Sequence, residues 1–67
     1  MFFILHAKSV NKDKELRLKK SHFDSFKEAE KAANVLRLEL ESDCVIWIEK
    51  FNKIGKFEQE VYRKNAF

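Results

Sequence analysis

Sixty-seven residues, 45% apolar and 37% charged, with 14 basic against 11 acidic side chains, bound the chain to one small domain of net charge +3. A single core of this size is marginal without a metal, disulfides or self-association, and the lone Cys44 excludes an internal disulfide. His6 and His22 lie far apart with no metal-ligand spacing, and no run approaches the ~20 apolar residues that span a bilayer, so a soluble cytoplasmic domain with no cofactor and no membrane partner is expected.

Met1-Phe-Phe-Ile-Leu5 has neither the basic leader nor the cleavage site of a signal peptide and reads as the start of a strand running from Phe2 to Val10. Asn11-Lys-Asp-Lys14 supplies turn chemistry. Glu15 to Lys20 then alternates, with Leu16 and Leu18 on one side and Arg17 and Lys19 on the other, which predicts a hairpin. Ser25 to Glu41 is the one long helix. Ser25 with Glu28 forms a capping box, and Phe26, Ala29, Ala32, Ala33, Leu36 and Leu40 make one apolar stripe. Cys44-Val-Ile-Trp-Ile48 is the most strand-like stretch. Asn52-Lys-Ile-Gly55 predicts a type I turn with Gly55 left-handed, and Lys56 to Arg63 closes a second hairpin.

The order strand, strand, helix, strand, strand gives an α+β fold in one domain, residues 1 to 67. If the helix returns the chain, the third strand runs antiparallel to the first and pairs beside it. The expected sheet is four-stranded and antiparallel, in spatial order 2-1-3-4. Its two central strands are the apolar ones, and its edges carry the charges that resist pairing with other chains.

One helix covers one face of such a sheet, so each strand should alternate apolar and polar. The runs Phe2 to Leu5 and Val45 to Ile48 do not alternate. Whichever parity faces the helix, large apolar side chains remain on the other face, where contact surfaces form. Ile46 and Ile48 inward with Val45, Trp47 and Phe51 outward is one parity; the reverse puts Trp47 in the core. The candidate protein-binding residues are Phe3, Leu5, Val45, Trp47 and Phe51. Either the chain curls over this face itself, or a second copy or another protein covers it.

Catalytic chemistry finds little support. Cys44 opens a strand expected to be buried, where a thiol is inert, and the carboxylates near the helix ends answer to capping and dipole effects. There is no glycine-rich phosphate loop. A non-enzymatic interaction protein is therefore expected. The alternative is nucleic-acid binding: residues 1 to 20 carry six basic and two acidic side chains. Lys12, Lys14, Arg17, Lys19 and Lys20 in the first hairpin would contact phosphates beside an aromatic sheet.

Phe23-Asp-Ser-Phe-Lys-Glu-Ala-Glu-Lys-Ala-Ala33, with Val45-Ile-Trp-Ile48, Gly55, Tyr62 and Asn65, resembles a family of small bacterial proteins of unknown function built as hairpin, helix, hairpin. The resemblance spans about residues 15 to 65 and implies the ββαββ fold and no activity. The same helix entrance is similar to the arm-site DNA-binding domain of phage integrases. That domain places three strands before a C-terminal helix, whereas here two precede the helix and a hairpin follows it, so no DNA-contacting residue carries over.

Overall fold

The computed structural model describes residues 1–66. Its elements are β1 (Phe2–Ser9), β2 (Lys14–Glu15), β3 (His22–Phe23), α1 (Phe26–Glu39), β4 (Cys44–Phe51) and β5 (Phe57–Asn65). They form one antiparallel sheet in the order β2-β1-β4-β5, with β3 also paired to β1, and α1 packs across one face.

The α+β class, the single helix and the central pair β1-β4 agree with the sequence reading; the four-strand count does not. The return limb of the first hairpin is two short strands, because its register against β1 slips. Lys8 pairs with Glu15, whereas Ile4 pairs with His22, so the return path holds three more residues than a continuous ladder needs. The ladder stops where the Leu16 N–H reaches Ala7 O (2.8 Å) and resumes where the Leu5 N–H reaches Ser21 O (2.8 Å). Between them the chain leaves the edge, and Leu16 and Leu18 pack against the core from its side. Alternation marks which face a side chain takes; it does not detect extra residues in the ladder.

The turns follow their chemistry. Asp13 closes the first with its N–H on Val10 O and adopts a left-handed conformation (φ 50°), which a short polar side chain tolerates. In the second, the Gly55 N–H donates to Asn52 O and Gly55 is left-handed (φ 82°), while Asn52 Oδ1 accepts from the Ile54 and Lys56 N–H groups, both at 3.0 Å. Ser25 caps α1 in an extended conformation and accepts from the Glu28 N–H at 3.2 Å. At the other end Leu40 turns extended, so the helix stops at Glu39, two residues short of the predicted end.

Ala29 and Ala33 are fully buried, which brings the helix axis close to the sheet. Beneath them lie Phe3, Leu5 and Ala7 of β1 and Ile46 and Ile48 of β4, with Phe26, Ala32, Leu36 and Leu40 around the margin. Ile46 and Ile48 are the largest side chains completely shielded from solvent. Beyond this core, Tyr62 on β5 reaches Asn34 of the helix (Oη to Oδ1, 3.0 Å), and Arg37 Nε donates to Asn65 O (3.1 Å).

Candidate interaction face

The register across the sheet fixes which side chains share the face away from α1. Directly opposed residues of antiparallel strands point to the same side. Leu5 opposes Ile48 and Ala7 opposes Ile46, so Phe3, Leu5 and Ala7 belong to the helix face with the two isoleucines. This corrects the expectation that Phe3 and Leu5 stand beside Trp47. They are 6% and 3% exposed and form the core, because the opposite parity would force His6 and Lys8 under the helix. Val45, Trp47 and Phe51 do lie on the uncovered face. They are joined there by Phe2, Ile4 and His6, which the sequence reading did not single out.

These side chains form cross-strand rows. In one, Phe51 stands between Phe2 and Phe57. The Phe2 and Phe51 rings stack at 5.1 Å and 3° between planes, Phe57 meets Phe51 edge-on at 5.9 Å, and His22 stacks on the far side of Phe2 at 4.8 Å. In another, Trp47 is held between His6, stacked at 4.9 Å, and the Arg63 guanidinium, 5.1 Å from the ring centre. Between these rows Ile4 opposes Glu49, which opposes Glu60; beyond the tryptophan row, Lys8 stands between Glu15 and Val45. Such cross-strand pairs, each worth roughly 0.2–1 kcal/mol, join the aromatic side chains into one continuous surface.

The charges on this face are tied to one another. His6 places Nε2 at 2.9 Å from Glu49 and Nδ1 at 3.3 Å from Glu15. Arg63 grips Glu60 through two hydrogen bonds of 2.8 and 2.7 Å, which hold the Glu60 carboxyl below its ordinary range. Lys8 pairs with Asp13 at 2.7 Å, and that bond lowers the Asp13 carboxyl likewise. Lys8 and Arg63 thus share the face with Glu15, Glu49 and Glu60, so that it carries charges of both signs.

The basic residues of the first hairpin are elsewhere. Arg17, Lys19 and Lys20 line an open groove of about 800 Å³ between α1 and residues 16–20. Lys20 also lies 5.0 Å over the Phe23 ring. Lys12 is exposed in the turn, and Lys14 opposes Ser9 on the helix-side parity. Arg17 also borders a smaller hollow with Ile4, His6 and Glu15 at the margin of the aromatic face, whereas Lys19 and Lys20 face the helix-side groove. Cys44 is buried and opposes Ser9; burial first, then the Asp43 charge, pushes its thiol above the ordinary range. Among the described residues, no group of three or more His, Cys, Asp or Glu is arranged to hold a metal ion, and no helix is long and apolar enough to cross a membrane.

No protein-family model, curated protein or solved structure matches the chain.

Proposed function

We propose that this chain is a non-enzymatic interaction protein whose uncovered sheet face docks against the same face of a second copy. The observation that carries this reading is the pair of aromatic rows on a face over which no other element of the described residues lies. Both central strands are apolar on two sides, the pattern of strands covered on both faces, while the chain provides one cover. A second copy supplies the other and turns two marginal cores into one larger one.

Charge favours a copy over a polyanion. Phosphate binding needs a concentrated positive field, whereas this face carries both signs, paired internally. A surface of mixed sign can set opposite charges against each other across a two-fold axis, which a face of one sign cannot. The ββαββ resemblance enters this proposal as a fold only.

Sedimentation tests the reading, with and without a short nucleic-acid duplex, at low and moderate salt. A dimer indifferent to the duplex and reduced to monomer by Trp47→Glu is the expected result. A monomer that binds the duplex and releases it as salt rises overturns it, and moves the function to Lys12, Lys14, Arg17, Lys19 and Lys20. A monomer that ignores the duplex also overturns it.

A further inference from the structure

On the helix side of the sheet, the groove between α1 and residues 16–20 is a second surface, independent of the aromatic face. Its apolar walls are aliphatic throughout: Leu5, Leu16 and Leu18 on one side, Val35, Leu36 and Leu40 on the other. It is a surface groove of about 800 Å³, open to solvent along its length. The groove exists because the return limb leaves the β1 edge at residues 17–20 while α1 packs over β1, β3 and β4. A flank of the helix is thereby left facing a detached segment instead of a strand.

The rim is charged and lopsided. Arg17, Lys19, Lys20 and Lys31 border the groove against Glu28 and Glu39, and none of the six is in an ion pair among the described residues. Lys19, Lys20 and Lys31 lie toward the start of the helix, where Glu28 also stands, while Arg17 follows Leu16 toward the end that holds Glu39. Lys31 is in the first half of α1, and Lys20 stands over Phe23 just before the helix. Leu36 and Leu40 are at the other end, beside Leu16. From Glu28 to Glu39 the helix rises roughly 16 Å at ~1.5 Å per residue, of the same order as an extended twelve-carbon chain.

We propose that this groove binds a single alkyl chain carrying one carboxylate, a fatty acid, with its head at Lys19, Lys20 and Lys31 and its tail along Leu16, Leu36 and Leu40. Charge complementarity selects the anionic head. The lining selects the tail, since its apolar walls offer no aromatic ring for a planar ligand.

The test is a titration of the isotope-labelled protein with dodecanoate below its micelle concentration, followed by amide chemical shifts. The expected result is saturable shifts at Leu16, Leu18, Val35 and Leu36, with signal dispersion retained and Trp47 and Phe51 unmoved. The double variant Lys19→Glu/Lys20→Glu should weaken binding about tenfold or more, and Leu18→Asp should weaken it through the tail. The two variants place their charges on different parts of the groove, so a folding defect in one leaves the other informative. Dodecyltrimethylammonium should bind at least about tenfold more weakly than dodecanoate. Non-saturating shifts, shifts centred on the aromatic face, equal binding of the cationic amphiphile, or preference for an acidic amphipathic peptide would each overturn the proposal.

Discussion

Trp47 and Ile48 are neighbours on β4 that point to opposite faces, and substituting each in turn separates self-association from folding. In the isolated chain, Trp47→Glu loses the His6 stack, about 0.5–1.5 kcal/mol, and the Arg63 contact, about 0.5–1 kcal/mol. That sum is roughly 1–2.5 kcal/mol, and the lost burial of the half-shielded indole adds about 1–2 kcal/mol; against a total stability of roughly 3–10 kcal/mol for a domain of this size, the variant should be weakened and its folding is read in the same unfolding curve. In a dimer, each tenfold rise in protein concentration adds about 1.4 kcal/mol per pair of chains. With a urea slope of about 2 kcal/mol/M for the pair, the unfolding midpoint of the parent protein should rise about 0.7 M per tenfold. Trp47→Glu should abolish that dependence. Ile48→Ala, at a residue fully shielded from solvent, should cost about 2–5 kcal/mol and keep it. The assay is urea unfolding by circular dichroism over a hundredfold concentration range. A parent midpoint that does not move, or a Trp47→Glu midpoint that still does, refutes the reasoning.

Ser25→Ala removes the acceptor of the Glu28 N–H and should cost about 1 kcal/mol, a fall in Tm of about 4–8 °C by calorimetry. Asp43 accepts from the buried Ser9 hydroxyl, and that bond holds its carboxyl below the ordinary value despite opposing desolvation. A depressed folded value means that this contribution is present above the unfolded pKa of about 3.9 and is lost as pH falls through the folded value. Ser9→Ala should bring the Asp43 titration, followed by carboxyl NMR, upward toward that ordinary value. Cys44, buried and with its thiol pushed up, should resist iodoacetamide near neutral pH in the native state and react once urea unfolds the chain; equal rates in both states would contradict the burial.

The helix was legible in detail because three local signals coincided: the Ser25 cap, the alanine stripe and the leucines at its end. Gly55 likewise stands where a turn needs a left-handed residue. The parity of β1 was also written in the sequence, though in its polar members. His6 and Lys8 cannot lie beneath a helix without charged or imidazole partners, and placing them outward puts Phe2 and Ile4 outward and Phe3, Leu5 and Ala7 inward. Counting apolar residues alone conceals this, since Phe2 to Leu5 is apolar on both faces. The break in the return limb had no such signal. Leu16 and Leu18 satisfy strand alternation equally whether they continue a ladder or leave it to pack at the margin of the core beside the groove. The rows of the open face needed register between β1, β4 and β5, which depends on contacts distant in sequence and on irregularities in the β4-β5 pairing after Ile48.

The strand directions also govern how the fold bears load. β1 and β5 both run antiparallel to β4 and thus parallel to each other, so Phe2 and Asn65 lie at opposite ends of the sheet, roughly 20 Å apart along the strands. Tension applied between those two residues acts along β1, β4 and β5 in shear. The ladder bonds on both sides of β4 then share the force together, instead of opening one at a time as they would in a hairpin pulled from its free ends. The same strand that centres the aromatic face is thus the one through which a stretched molecule would carry its load.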